Sequence, residues 1–220
     1  MKSITQQELD RLIESGEILE KDGHGVKVVR LHDDRYLKIF NRRPGLSMAK
    51  IWPRSKQFAR NAKNLKKRRI TTVGIVDVFK VSDAQRDCVI YHGIPGNTLR
   101  DVMLAKPGDA DLSRKVGAYI GRLHDAGVMF RSLHFGNIIQ LADGCFGLID
   151  IADMRINVFP LSLWQRVRNF QHVFRYKQDY LSIDQESFLS GYFESVRYKS
   201  GRLTRSLSSA MDKAELSAIH

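Results

Sequence analysis

The chain has little cysteine and no long apolar stretch. Its 220 residues include two cysteines, Cys88 and Cys145, which are too few for a disulfide framework and fit a reducing cytosol. No apolar run approaches the roughly 20 residues of a membrane-spanning helix. The first residues carry acids and no extended apolar core, so we predict no secretory signal. These absences argue against a disulfide-stapled scaffold and against a transmembrane helix.

Acidic residues are missing from residues 35–76, although this segment holds thirteen Lys and Arg. Within it, Phe58, Ala62 and Leu65 share one face of a predicted helix over Arg54–Arg69. Like charges at helical spacing repel by a few tenths of a kcal/mol per pair, and the net charge of the chain is +12. An anionic partner is therefore expected, such as phosphate, phospholipid, lipopolysaccharide or nucleic acid. A solvated helix face is the alternative, and no nucleic-acid motif accompanies the charge. The cations are Arg35, Lys38, Arg42, Arg43, Lys50, Arg54, Lys56, Arg60, Lys63, Lys66, Lys67, Arg68 and Arg69.

The N-terminal half predicts one helix followed by strands. Thr5 and Glu8 have capping-box spacing ahead of an apolar stripe that ends at Gly16. We interpret this as a short packing helix, with a membrane-surface helix as the alternative. From Glu17 the apolar residues alternate as in strands, with a Gly-His-Gly loop at residues 23–25.

The C-terminal half predicts helices on either side of a β-hairpin. Apolar stripes predict helices around residues 112–123, 163–174 and 184–198. The tail beyond Arg202 is polar and basic, and we expect it to be loosely held.

The segment from Leu123 to Arg155 predicts a metal site. Ile138-Ile139 and Phe146–Ile149 are expected to pair as strands across a turn at Asp143-Gly144. Asn137 precedes the first strand and Asp150 follows the second, so the hairpin brings their side chains to the same end. An amide oxygen and a carboxylate held on strands suit Mg²⁺, which prefers oxygen ligands and completes its shell with water and phosphate.

These motifs resemble the catalytic core of the protein-kinase-like superfamily. Phe130–Asn137 (FRSLHFGN) lies on the pattern H-R-D-L-x-x-x-N, and Asp150 lies on the metal aspartate of D-F-G. The L-H-D-A-G-V run, the N-I-I strand and L-I-D-x-x-D-x-R are typical of the bacterial lipopolysaccharide kinases, which phosphorylate Kdo or heptose of the inner core, and of relatives called toluene-tolerance proteins. The resemblance covers roughly Glu17 to Tyr192.

The resemblance implies roles for residues outside the hairpin. Gly23 and Gly25 would let backbone N–H groups approach the phosphates of ATP, and Lys38 would contact the same phosphates. Tyr91 begins a segment, through Leu99, that is similar to the hinge whose backbone meets the adenine; Thr98 also fits a helix cap. Arg131 would anchor the catalytic loop electrostatically.

The chain departs from the kinase pattern at two positions. Ser132 stands where the family carries its catalytic aspartate, and a positioned base commonly contributes about 10²–10⁴ in rate. Asn61 occupies what we take to be the position of the helix glutamate that pairs with the strand lysine. His134 is a candidate base or γ-phosphate ligand, with a structural loop histidine as the alternative. Asp153 is a candidate further metal ligand or partner of Arg155.

We therefore predict an α+β, two-lobed, protein-kinase-like fold, with a five-stranded antiparallel lobe over residues 1–92 and a mostly helical lobe over residues 93–220. The nucleotide would lie between the lobes. The predicted function is ATP- and Mg²⁺-dependent phosphorylation of a lipopolysaccharide inner-core sugar, in the cytoplasm or at the inner face of the cytoplasmic membrane. The absence of a long activation segment and of an A-P-E motif argues for a non-peptide substrate. The alternative is a pseudokinase that binds such an intermediate or a partner enzyme; an RNA-binding protein is a weaker third hypothesis.

Overall fold

A computed structural model of the chain describes residues 1–41 and 53–219, with side chains described as far as residue 211. The chain divides into two compact units, Met1–Ile94 and Pro95–His220. This division lies close to the boundary predicted at residue 92. Arg42, Arg43 and Lys50 of the basic segment lie outside the described residues.

The N-terminal unit is built on a mixed, mainly antiparallel sheet of six strands in the order β1-β6-β7-β4-β3-β2. The predicted antiparallel strands β2, β3, β4, β6 and β7 are all present. The edge strand β1 was not predicted because it is too short to show a period; it runs parallel to β6. The strands are β1 (Lys2–Ile4), β2 (Glu17–Asp22), β3 (Gly25–Arg30), β4 (Arg35–Asn41), β5 (Thr71–Thr72), β6 (Gly74–Val81) and β7 (Arg86–His92).

Two helices accompany this sheet, α1 (Gln6–Glu14) and α2 (Arg54–Lys67). The predicted capping box begins α1, because Thr5 and Glu8 each accept a hydrogen bond from the backbone N–H of the other. Leu9 is fully buried and lies in one core cluster with apolar residues of the sheet such as Val29 and Leu37. The predicted basic helix is present as α2, and it buries Phe58, Ala62 and Leu65 as expected.

The C-terminal unit is mostly helical. Helices α4 (Ala110–Asp125) and α7 (Gln185–Ser195) share its most extensive contact. Their backbones approach closely: a Cβ on Gly117 would lie 1.9 Å from the carbonyl oxygen of Phe188, and one on Gly191 would lie 2.0 Å from that of Arg114. Glycine at both positions therefore permits the packing. The helices are α3 (Leu99–Ala105), α4 (Ala110–Asp125), α5 (Leu163–Val173), α6 (Lys177–Leu181), α7 (Gln185–Ser195) and α8 (Gly201–Ile219).

Short strands between α3 and α5 carry the loop and the hairpin. The hairpin strands β10 (Ile138–Gln140) and β11 (Phe146–Leu148) pair antiparallel. Strand β10 also pairs with β8, whose last residue, Thr98, caps α3. A second antiparallel pair joins β9, just before the loop of residues 131–137, to β12, just after the hairpin. The strands are β8 (Asn97–Thr98), β9 (Val128–Phe130), β10 (Ile138–Gln140), β11 (Phe146–Leu148) and β12 (Met154–Ile156).

The expectation of a loosely held C-terminal tail was wrong. Helix α8 buries Leu203, Leu207 and Met211 and contacts α5 and α6. These residues recur every four positions, which places them on one face of a helix. This apolar stripe was not recognised in the sequence because most residues between its members are charged or small and polar.

The chain thus has the predicted α+β fold, divided into two units. A mainly antiparallel sheet with a helix inserted between its strands precedes a helical unit that carries a loop and a β-hairpin. Among the described residues, no helix combines the length and the apolar character needed to cross a lipid bilayer.

Candidate functional site

The hairpin places Asn137 and Asp150 at the same end. Ile138 lies opposite Leu148 in the register of β10 and β11. One step further, the backbone N–H of Ile149 donates to the carbonyl of Asn137 at 3.1 Å. Asp150 therefore follows directly after the residue that is bonded to Asn137. Its backbone is left-handed, with φ 49° and ψ 44°, a conformation that aspartate tolerates better than most side chains.

The amide of Asn137 is held through its nitrogen. Nδ2 donates to the carbonyl of Ser132 at 2.9 Å and lies 3.2 Å from Nε2 of His134. The residue is 8% exposed. These contacts orient the amide so that Oδ1 is the atom left for a ligand, as a metal site requires.

The donor set fits Mg²⁺. Among residues 1–41 and 53–219, no group of three or more His, Cys, Asp or Glu is arranged to hold a metal ion. Asn137 and Asp150 together offer an amide oxygen and a carboxylate instead. Magnesium is commonly held by one or two protein oxygens, with water and substrate phosphates as the remaining ligands.

His134 supports Asn137 in this structure. Because Nδ2 of Asn137 is a donor, Nε2 of His134 accepts, and the imidazole is neutral with its proton on Nδ1. Burial, and after it the Arg100 guanidinium, lower the pKa of His134. Its Nδ1 is buried and has no hydrogen-bond partner among the described residues. The catalytic role predicted for His134 stays a prediction.

Ser132 contacts a carboxylate that its sequence position does not reveal. Its Oγ donates to Oδ2 of Asp153 at 2.7 Å. Asp153 ends the 3₁₀ turn Ile151–Asp153, directly before β12. The pairing of β12 with β9 brings this turn beside Ser132, since Met154 lies opposite Phe130. Asp153 is therefore bonded to Ser132 and not to Arg155, the partner weighed from the sequence.

An ion pair with a buried carboxylate anchors the loop from Arg131 to Asn137. Arg100 donates to both oxygens of Asp179, at 2.7 and 2.9 Å, and Asp179 also accepts the backbone N–H of Phe135 at 3.1 Å. The guanidinium carbon of Arg100 lies 4.6 Å from the centre of the Tyr176 ring, which makes an edge contact with His134. Arg100 and Asp179 thus provide the electrostatic anchor that we had expected from Arg131.

Arg131 is exposed, and its carbonyl accepts a hydrogen bond from Arg175 at 3.4 Å. Arg175 also approaches Nδ1 of His172, at 3.3 Å. Burial lowers the pKa of His172, and so do Arg175, Arg131 and Arg168, whereas Asp153 opposes the shift. Three exposed arginines and Asp153 therefore lie within electrostatic range of His172.

A buried chain of polar side chains supports the loop from beneath. Arg166 donates to Asp125 at 2.6 Å and to the Tyr192 hydroxyl at 3.0 Å, so it is structural. The hydroxyl lies 2.9 Å from Nδ1 of His124. The other His124 nitrogen, Nε2, lies 3.2 Å from Oδ1 of Asn169.

This series of hydrogen bonds ends next to the loop, where Nδ2 of Asn169 donates to the carbonyl of Phe130 at 2.7 Å. A neutral His124 protonated on Nε2 satisfies the donors and acceptors on both sides of the ring. Burial, followed by the charge of Arg166, accordingly lowers the pKa of His124 to about 3. No local pattern indicates this series of hydrogen bonds, because its members are apart in sequence and most lie in helices predicted only as packing.

The nucleotide-binding residues predicted in the N-terminal unit occupy a hairpin and two central strands. Gly23 lies in the turn between β2 and β3, and Gly25 begins β3 with φ 109°. Lys38 lies in β4 opposite Val28 and Val89, and is thus not at an edge. Tyr91 lies in β7, with its ring centre 5.6 Å from that of Tyr36.

Asn61, at the position we assigned to the helix glutamate, is buried in α2. Its Oδ1 accepts from Gln57 at 2.9 Å. The side chain is therefore buried, uncharged and hydrogen-bonded to a residue of the same helix.

Comparisons with known proteins add a structural likeness. No protein-family model matches the chain, and no curated protein matches it. Among solved structures, the bifunctional kinase-methyltransferase WbdD aligns with a TM-score of 0.47 and 14% identity, over 88% of this chain and 47% of that one. The chain thus spans about half the length of this structural neighbour.

Proposed function

We propose that this chain is an ATP- and Mg²⁺-dependent phosphotransferase that acts on a sugar hydroxyl of the lipopolysaccharide inner core. The observation that carries the proposal is the pairing of Asn137 with Ile149, which sets an amide oxygen and the Asp150 carboxylate at one end of a rigid hairpin. Bound Mg²⁺ would neutralise charge on the transferred phosphate. Asn137 and Asp150 would hold it.

The proposed nucleotide contacts follow the resemblance. Gly23, Gly25 and Lys38 would bind phosphates, and the backbone near Tyr91 would meet the adenine. The chain contributes positioning and charge compensation, which account for most of the catalysis in phosphoryl transfer.

The proposed acceptor is anionic. The net charge of +12 attracts an acceptor that carries acidic groups. Arg131, Arg168 and Arg175 are exposed. All three lower the pKa of His172 and Asp153 raises it, so the arginines and Asp153 lie within electrostatic range of the same histidine. An inner-core sugar bearing carboxylates or phosphates meets these requirements. The same charge favours a location in the cytoplasm or at the inner face of the cytoplasmic membrane, where anionic lipids are present.

A second candidate is a pseudokinase that binds a lipopolysaccharide intermediate or a partner enzyme. Ser132 and Asn61 favour it, since each replaces a carboxylate of the kinase pattern. In this case the site binds Mg-nucleotide and does not transfer phosphate efficiently.

The test is transfer of labelled phosphate from ATP to dephosphorylated inner-core oligosaccharide. We expect Mg²⁺-dependent transfer by the wild-type chain and a loss of at least about 100-fold in Asp150→Ala. Asp143→Asn, in the hairpin turn, is the matched control and should retain activity. Transfer that persists in Asp150→Ala would contradict the metal assignment, and nucleotide binding without transfer would favour the pseudokinase.

A further inference from the structure

The hydrogen bond between Ser132 and Asp153 places a carboxylate next to the residue that stands at the position of the kinase base. Ser132 occupies the position of the kinase base, and its Oγ lies 2.7 Å from Oδ2 of Asp153. A serine hydroxyl is a poor proton acceptor at neutral pH. A hydroxyl bonded to a carboxylate can pass a proton on, as in the activated nucleophiles of other enzymes.

Asp153 has an unused acceptor atom at this point. Its Oδ1 is buried and has no hydrogen-bond partner among the described residues, whereas almost all buried polar atoms are satisfied. A carboxylate placed only for stability would be expected to use both oxygens, because desolvating a charge is costly. Asp153 therefore has one oxygen bonded to Ser132 and a second acceptor oxygen that no described residue satisfies.

The position of Asp153 is fixed by backbone pairing. Strand β12 begins at the next residue and is paired with β9, with Met154 opposite Phe130. The carbonyl of Ser132 accepts from Asn137. Ser132 is therefore hydrogen-bonded through its carbonyl to the proposed metal ligand Asn137 and through its hydroxyl to Asp153.

We propose that Asp153 is the proton acceptor of the reaction and acts through Ser132. The inference rests on the proposed phosphotransfer. The acceptor oxygen forms its bond to the γ-phosphorus as the bond to the β–γ bridging oxygen breaks and ADP leaves with that electron pair. The proton of the acceptor hydroxyl passes to Ser132 Oγ, and the serine proton passes to Asp153 Oδ2. The neutral carboxyl then releases its proton to water.

The proposal is tested with Asp153→Asn, Ser132→Ala and the exchange variant Ser132→Asp/Asp153→Ser. Asparagine keeps an oxygen that accepts from Ser132, so we expect the variant to fold while the negative charge is lost. We expect kcat to fall about 10²–10⁴-fold in both single variants, with the KM for ATP and the Mg-nucleotide melting shift unchanged. The exchange variant restores a carboxylate to the loop and should recover at least about tenfold over Asp153→Asn. Asp143→Asn is the control.

The outcomes separate this inference from the proposed function. If the wild type transfers phosphate and Asp153→Asn stays within about threefold of it, the relay is wrong and the phosphotransferase stands. Failure of the exchange variant to recover activity, with nucleotide binding intact, also overturns the relay. A wild type that binds Mg-nucleotide without transfer overturns the relay and favours the pseudokinase. Absence of nucleotide binding overturns the proposed function itself.

Discussion

Arg100 and Asp179 form a two-point ion pair across 79 positions of sequence, with N–O distances of 2.7 and 2.9 Å. The carboxylate is fully buried and the Arg100 side chain is 22% exposed. Because Asp179 also accepts the backbone N–H of Phe135, the pair fixes the loop that carries Ser132, His134 and Asn137. The loop geometry therefore depends on a contact between α3 and α6.

Removing one member of this pair should be costly. Arg100→Met leaves the buried Asp179 carboxylate without its cation, and we expect a loss of about 3–5 kcal/mol in the free energy of unfolding. Urea denaturation followed by circular dichroism measures it. Arg114→Met is the matched control, because the Arg114–Glu194 pair is largely exposed, and its midpoint should barely move. Equal effects in the two variants would show that the buried pair is not a stabilising anchor.

The pH dependence of the free energy of unfolding should show the protonation of His124 on unfolding. Burial lowers the pKa of His124 to about 3, whereas the unfolded value is near 6.5. Between these values the unfolded state binds more protons, so stability falls as the pH falls below about 6.5. One such group contributes about 2 kcal/mol between pH 6.5 and pH 5.

His124→Gln provides the measurement, by thermal melting at each pH. The variant should be less stable at pH 7, because the chain of hydrogen bonds is altered, and should lose less on acidification. The pKa values of His134 and His172 are also lowered, so some dependence will remain. A slope identical to that of the wild type would refute the assignment to His124.

Helix α8 should be part of the cooperative fold. Leu207 is fully buried, and truncation of such a leucine to alanine costs about 2–5 kcal/mol. We expect Leu207→Ala to lower the unfolding midpoint strongly. Arg205→Ala, at an exposed position of the same helix, should have little effect. If the two variants melt alike, α8 is not packed as described.

The exposed arginines should affect the acceptor more than the nucleotide. Arg168→Ala and Arg175→Ala remove exposed cations that, like Asp153, lie within electrostatic range of His172. We expect the KM for the anionic acceptor to rise several-fold, with the KM for ATP unchanged. The effect should shrink at high salt, because exposed charges are screened. A rise in the KM for ATP alone would assign these residues to the nucleotide instead.

Local signals in the sequence predicted the local structure well. The Thr5–Glu8 capping box, the apolar face of α2 and the Asp143-Gly144 turn each depend on neighbours in sequence, and each is present. The metal ligands Asn137 and Asp150 were predicted from the hairpin itself, and the resemblance to kinases added the nucleotide-binding residues; both sets of roles stay predictions.

Contacts between distant residues were not predictable in this way. Nothing in the local sequence links Ser132 to Asp153, which are 21 positions apart; the link appears only when β9 and β12 pair. Helix α8 was missed for a related reason. Its leucines bury against α5 and α6, and tertiary packing of this kind outweighs a polar local composition.

Binding of Mg-nucleotide tests the central claim most directly. Melting of the wild-type chain with Mg²⁺ and a non-hydrolysable ATP analogue at about 100 times the Kd should show a stabilisation of about 2.7 kcal/mol. Asp150→Ala should lose the Mg²⁺-dependent part of the shift, and Asp143→Asn should keep it. Equal melting of the wild type with and without Mg-nucleotide at saturating concentration would contradict the account.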